Sequence, residues 1–285
     1  MTAVETVRGL WELLRPVNAI SAAVLTAIGA FVASGIVDAP VAVAAAAGAT
    51  FFGTGAGNAI NDYFDREIDA HNKPDRPIPR NAVSPRLALW YALACFGLAV
   101  VFALTLPWLA IAIALFNLLA LVSYTQVFKG LPGAGNVVVA YLGGSTFLFG
   151  GAAVHTVGPA VVVLFALAAL STISREIIKD VEDVEGDRAE GLNTLPIAIG
   201  ERPALWIATG VLTLAIVASP APYLTGDFGP PYLVVLGPAV VYLGYAGWTS
   251  FRDPSRGQRH MKYAMFLAAL SFVVGRLGVT ASAFG

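Results

Sequence analysis

The chain has 285 residues, 57% of them hydrophobic and 12% charged, with a mean hydropathy of +0.74. A soluble domain carries about 25% charged residues, and a soluble fold of this length could not hide so much apolar surface, so the composition excludes a water-soluble protein in favour of an integral membrane one. The net charge of −1 carries no information on partners, and the single cysteine, Cys95, excludes an intrachain disulfide.

The opening segment, MTAVETVRGLWELLRP, has two acids and no small-residue cleavage site after a short apolar core. It reads as an interfacial amphipathic lead-in rather than a cleaved signal. A bilayer crossing needs roughly 20 apolar residues. Nine such runs follow, at about 17–36, 40–63, 85–106, 108–128, 134–154, 158–179, 203–220, 231–249 and 261–283. Only Leu106 and Pro107 separate the third and fourth, which predicts a tight helical hairpin. Pro and Gly clusters at 74–85, 130–135, 219–231 and 253–257 mark other turns. The expected fold is an all-α polytopic membrane protein, one domain over 1–285, with nine transmembrane helices around a central cavity.

Alternating the connections puts every Lys and Arg except Arg276 on one side, together with every acid except Asp38 and Asp227. The positive-inside rule makes that side cytoplasmic, with the N-terminus inside and the C-terminus outside a cell membrane.

Two acidic stretches lie on this side. In NAINDYFDREID, residues Asn58, Asp62, Asp65 and Asp69 are spaced i, i+4, i+7 and i+11. In REIIKDVEDVEGD, residues Glu176, Asp180, Asp183 and Asp187 repeat the spacing, offset by 118 positions throughout. On one continuous helix each set shares a narrow arc. The offset suggests two repeated four-helix units plus a ninth helix, with the site between them.

Clustered carboxylates at membrane depth repel one another and need a counter-ion. Hard divalent cations take oxygen ligands, and Mg²⁺ is commonly held by one or two carboxylates plus substrate phosphates. Lys73, Arg76, Arg80, Lys129, Arg175 and Lys179 supply a cationic rim for phosphate oxygens. Carboxylates, Mg²⁺ and basic groups at the end of an apolar bundle suit a diphosphate head on a long apolar tail.

Asn61-Asp62-x-x-Asp65-x-x-x-Asp69 resembles the first aspartate-rich motif of the UbiA superfamily of intramembrane prenyltransferases. Asp183-x-x-x-Asp187, with Asp180 before it, resembles the second. The loop DRPIPRNAVSP (75–85), the lead-in Arg15-Pro16-Val17-Asn18 and a Tyr124-to-Lys129 element are similar to family features. Four residues separate Tyr124 from Lys129, whereas a three-residue gap is also common in the family. The resemblance implies a Mg²⁺-dependent prenyltransferase acting on a prenyl diphosphate donor and a lipid-like acceptor in the bilayer, with no nucleic-acid or protein partner. It implies Asp62, Asp65, Asp180 and Asp183 as catalytic carboxylates, and Asn58, Asp62, Asp65, Asp69, Asp180, Asp183 and Asp187 as the metal set. Tyr124 and the six basic residues would bind the diphosphate or phosphate. REIIKDVEDVEGDR followed by GLNTLPIAIG is most similar to the branch that adds a geranylgeranyl group to a glyceryl phosphate ether of archaeal lipids. Prenylation of an aromatic quinone or tetrapyrrole precursor is the alternative within the family.

Several residues also have plainer readings. Glu176 is expected to pair with Arg175 or Lys179, and Asn117 and Asn136 to hydrogen-bond between helices. Arg276 is expected to snorkel or pair inside the bundle, and His71, His155 and His260 to be solvated. A secondary transporter, the rival from another class, would carry its carboxylates near the midplane.

Overall fold

The structure is a computed structural model and describes residues 2–33 and 39–283, without the side chains at 68, 71, 72, 125, 126 and 280–283. The expectations for Asp38 and the His71 side chain therefore lie outside the described residues. Every element among them is helical. An amphipathic α1 (Ala3–Leu13) leads into α2 (Pro16–Ala33) and α3 (Pro40–Phe64), and a short α4 (Arg66–Asn72) follows. Next come α5 (Pro85–Leu104), α6 (Trp108–Ser123), a π turn (Tyr124–Phe128), α7 (Ala134–Ala153) and α8 (Pro159–Glu182). Two short helices, α9 (Val184–Ala189) and α10 (Leu195–Ile199), precede α11 (Glu201–Ala218). The chain ends through α12 (Ala221–Leu224), α13 (Pro231–Ser250) and α14 (Pro254–Ala283).

Proline opens most of the long helices. Pro16, Pro40, Pro85, Pro159, Pro231 and Pro254 each stand at a first helical position, where the missing N–H would have had no intrahelical partner. Ser84 completes the start of α5 by accepting the Leu87 N–H at 3.2 Å.

Among the described residues eight helices are long and apolar enough to cross a bilayer: α2, α3, α5, α7, α8, the α11–α12 run, α13 and α14. The expected span 108–128 is a shorter apolar helix, α6, of 16 residues, extended by the five-residue π turn. The last span also departs from expectation. It starts at Pro254 rather than 261, because Asp253 accepts the Arg256 N–H at 2.9 Å and Pro254 follows it, so the segment expected to be a turn nucleates the helix.

Packing runs from α5 to α3, from α3 to α2, and from α2 across to α7 and α8; α11 flanks α8, while α14 pairs with α13 and closes against α8 and α2. The crossing of α2 and α7 brings the two backbones close together. A Cβ on Gly150 would lie 2.0 Å from the Thr26 carbonyl oxygen, and one on Gly29 would lie 2.4 Å from that of Phe147. Glycine is required at both points, as at other close helix crossings in membranes. Beside it, Thr26, fully buried, shares a 2.9 Å hydroxyl contact with Thr50 of α3. Leu, Val and Trp side chains such as Trp90, Trp108 and Trp206 stay exposed on the outer surface, where hydrocarbon rather than water is their natural solvent.

Candidate active site

Both acidic stretches bend the chain at their third member. α3 ends at Phe64, Asp65 takes φ −82° and ψ 3°, and α4 starts at once. α8 ends at Glu182, Asp183 takes φ −93° and ψ 5°, and α9 starts at once. The expectation of four acids on one continuous helix face is corrected accordingly. Asp62 and Asp180 stay on the long helices, whereas Asp69 and Asp187 fall on the short helices that follow the break.

The first stretch is held by arginines. Asp62 is buried, and its Oδ1 accepts from Arg15 NH2 at 2.6 Å and from Arg76 NH1 at 3.2 Å. Arg76 also donates to Asp69, which is equally buried. Arg15 reaches Asp62 from the α1–α2 junction in a left-handed conformation, φ 47°, which is uncommon for a residue with a side chain. Asn58 donates its side-chain N–H to the Leu14 carbonyl at 3.0 Å and so ties α3 to the same junction. Arg80 turns to α1 instead of the acids, donating to Glu12 at 2.6 Å, and Lys73 is exposed.

The second stretch is less neutralised. Asp180 accepts from Asn136 of α7 at 2.7 Å and has no cation within 4 Å among the described residues. Arg175 pairs with Glu176, as expected, and Lys179 approaches Asp183 at 3.9 Å. Loss of hydration raises the Asp187 carboxyl above its ordinary value; a hydrogen bond from the Thr194 hydroxyl and the Lys179 charge oppose the shift, and the nearby Asp183 and Glu190 charges add to it.

Tyr124 and Lys129 join the two stretches. Lys129 Nζ stands 3.6 Å from Asp65 and 3.9 Å from Glu190 at the end of α9. The Tyr124 hydroxyl lies in the field of Glu176, Asp180, Asp187 and Asp65, acids from both halves of the chain. The π turn sets this pair. Lys129 N–H donates to the Tyr124 carbonyl at 2.8 Å, five residues back, so the additional residue between them is absorbed as a wide turn. Gly135 lets the turn approach α7, since a Cβ there would meet the Phe128 carbonyl oxygen at 2.9 Å.

An open pocket follows, lined by Tyr124, Lys129, Asn136, Glu176, Lys179, Asp180 and Thr194. The buried Thr194 hydroxyl lies on this wall beside Asp187. Among the described residues no three acidic, His or Cys groups are gathered tightly enough to hold a metal as they stand. The candidate donors are nonetheless all oxygens, and the Asp180 carboxylate, held by the neutral Asn136 amide, has no cation within 4 Å among the described residues. That set fits a hard cation which takes few protein ligands and completes its shell with substrate phosphate and water.

Comparison with known proteins bears on this geometry. The family model described as "UbiA prenyltransferase family" matches residues 22–270. The chain belongs to the UbiA prenyltransferase family. Among UbiA relatives, digeranylgeranylglyceryl phosphate synthase of Natronomonas pharaonis is 64% identical over 97% of this chain and 100% of its own length. The protein of the same name from Halobacterium salinarum is 58% identical over 96% of this chain and 99% of its own. A solved structure concerned with digeranylgeranylglyceryl phosphate synthase in membranes superposes with a TM-score of 0.79 at 34% identity, covering 95% of this chain and 99% of that one. A UbiA homologue from Archaeoglobus fulgidus bound to DMAPP and Mg²⁺, 20% identical, has a TM-score of 0.71 over 95% of this chain and 99% of its own, and shows the shared UbiA fold.

Three residues that contact or line the candidate site were not singled out as site residues from the sequence. Arg15 contacts Asp62 across 47 positions, which no local spacing reveals. Asn136 is the interhelical hydrogen-bond partner expected of it, and its partner is Asp180. Thr194 follows the second stretch in GLNTLPIAIG, where only its neighbourhood signalled interest. His260, expected to be solvated, contacts the Tyr242 hydroxyl at 2.9 Å through Nδ1.

Proposed function

We propose that the chain transfers a geranylgeranyl group from geranylgeranyl diphosphate to the free hydroxyl of geranylgeranylglyceryl phosphate, forming the second ether bond of archaeal membrane lipids. The observation that carries this reading is the 64% identity, over the full length of the relative, to a digeranylgeranylglyceryl phosphate synthase. The meeting of the two acidic stretches at Tyr124 and Lys129 supports it.

In this reading Asp62, Asp65, Asp180 and Asp183 are the catalytic carboxylates, and with Asn58, Asp69 and Asp187 they supply the oxygens for Mg²⁺. Bound Mg²⁺ would neutralise diphosphate charge and improve the leaving group. Arg76, Lys129, Arg175 and Lys179, now occupied by carboxylates, exchange them in part for diphosphate oxygens. Arg15 joins them from the α1–α2 junction. Tyr124 orients the diphosphate, and Lys73 and Arg80 form the outer rim. The apolar bundle beneath keeps water from the developing allylic cation.

The architecture that accompanies this reading is one domain of nine crossings, counting α6 with its π turn, arranged as two four-helix units plus α14. The starts of α7, α8 and α9 follow those of α2, α3 and α4 by 118, 119 and 118 positions, which supports the duplication. The site and the N-terminus face the cytoplasm and the C-terminus lies outside, a reading that the charge sidedness supports.

The test is product mass spectrometry. Membranes holding the protein receive labelled geranylgeranyl diphosphate and Mg²⁺, with geranylgeranylglyceryl phosphate and hydroxybenzoate in competition. The expected product is the doubly prenylated glyceryl phosphate, dependent on Mg²⁺. Preferential prenylation of hydroxybenzoate would overturn the acceptor, and no product with either would overturn the reaction.

A further inference from the structure

The acceptor in the proposed reaction brings a phosphate of its own, and that dianion needs a cation which the donor site does not already use. Most cations on the charged side stand within 4 Å of a carboxylate: Arg15, Arg76, Lys129 and Lys179 at the acidic stretches are examples. Those with no carboxylate at that distance, among the described residues, fall into two kinds. Lys73, Arg86, Arg188, Arg202 and Arg259 are exposed, and Arg252 lies over the Trp248 ring. Lys262 is the exception. It is partly buried on the membrane-spanning α14, and its Nζ donates to the neutral Asn18 Oδ1 at 3.4 Å.

Its position is specific. Lys262 lies eight residues beyond Pro254, about 12 Å along the helix axis. Asn18 is in the first turn of α2. α14 therefore overhangs the end of α2, and Lys262 sits at the seam where the last and first spans meet. One turn back, the Arg15 carbonyl accepts the Asn18 N–H at 2.8 Å, while the Arg15 guanidinium is on Asp62. The seam thus adjoins the first acidic stretch through Arg15.

We propose that Lys262, with Asn18 beside it, binds the phosphate monoester of the acceptor and so selects a phosphorylated glyceryl ether over a neutral one. The proposal rests on the reaction given above. An ammonium held by a weak, uncharged hydrogen bond is ready to exchange that partner for a phosphate oxygen, and the exchange leaves no carboxylate stranded. The acceptor's apolar chain then follows the α2–α14 seam into the bundle, which leaves its hydroxyl near Asp62, where the donor's head is held. The other source of a phosphate at this depth is the headgroup of a bulk bilayer lipid.

The test is steady-state kinetics of the whole protein in phospholipid-free neutral detergent, with geranylgeranyl diphosphate as donor. The acceptors are geranylgeranylglyceryl phosphate and its unphosphorylated counterpart, geranylgeranylglycerol. K262Q is expected to raise KM for the phosphorylated acceptor about 10- to 100-fold, the loss typical of a charged hydrogen bond. KM for the donor and turnover of the neutral acceptor should stay at wild-type values, and K262R should recover most of the loss. Equal acceptor KM in wild type and K262Q, or equal losses with both acceptors, overturns the assignment. A K262Q defect that appears only in phospholipid nanodiscs assigns Lys262 to bulk lipid and likewise overturns it. Wild type inactive with both acceptors sinks the reaction itself, and the Lys262 assignment with it.

Discussion

Asp65 and Asp183 stand 118 positions apart in the chain and share one backbone conformation, φ −82° and ψ 3° against φ −93° and ψ 5°. Each ends a membrane-spanning helix and starts a short one. ψ near zero lies outside the helical well in the sparsely allowed bridge region, where many site residues are found. The bend divides each stretch into a carboxylate on a rigid helix, Asp62 or Asp180, and one on a short surface helix, Asp69 or Asp187.

D180N should keep the fold and lose the reaction. The substituted amide is close in size and can still accept from Asn136, now 2.7 Å from the carboxylate. What disappears is a negative charge that has no cation within 4 Å among the described residues. Product formation is expected to fall at least about 100-fold, the scale of losing one electrostatic group at a reacting centre. Turnover measured against Mg²⁺ concentration checks it, with an unchanged melting profile as the control for folding.

Deleting Val127 should separate folding from catalysis at the π turn. Val127 is exposed, so its removal costs little packing. With one residue fewer, the bond from Lys129 N–H to the Tyr124 carbonyl becomes an ordinary i+4 bond, and one of the two side chains rotates by about 100°. Lys129 then leaves Asp65, or Tyr124 leaves the pocket. Helix content by circular dichroism should be preserved while activity is lost; full activity would show that the wide turn does not set the pair.

G150A should lower thermal stability in detergent. The new methyl would press on the Thr26 carbonyl oxygen, which belongs to a helix and cannot swing aside. Overpacking of this kind costs about 1–3 kcal/mol. G97A, on α5 where a Cβ meets nothing within 4 Å, is the matched control and should be neutral or slightly stabilising.

The tie between α1 and the loop before α5 should weaken in acid. Partial loss of hydration pushes the Glu12 carboxyl up, but the Arg80 and Arg8 guanidinium groups outweigh it and hold the group below its ordinary value. For a carboxyl shifted down, the stabilisation is present above the unfolded-state pKa and is lost as pH falls through the folded-state one. Hydrogen exchange of α1 should therefore be faster in E12Q than in wild type at neutral pH, and the difference should close in acid, below the ordinary carboxylate range.

The spans were legible because apolar runs of bilayer length, opened by proline, leave little choice of structure. The acidic spacing was legible as two equivalent sets, yet not as bent ones. A periodicity of 100° per residue assumes an unbroken helix, and nothing local at Asp65 or Asp183 announces ψ near zero. The additional residue between Tyr124 and Lys129 was visible in the chain, but its expression as a π turn needed the backbone. Arg15 on Asp62 and Lys262 on Asn18 join positions distant in the chain, so only the packed bundle brings them together.

The glycine-to-backbone crossing of α2 and α7 also constrains how the chain is made. Gly29 needs Phe147 opposite it, and Gly150 needs Thr26. Translation at about 5–20 residues per second separates Gly29 from Phe147 by roughly 6–24 s. Over that interval the first span waits in the bilayer without this neighbour. A ribosome that stalls before α7 is complete would thus leave a membrane-inserted but unmated fragment exposed to membrane quality control.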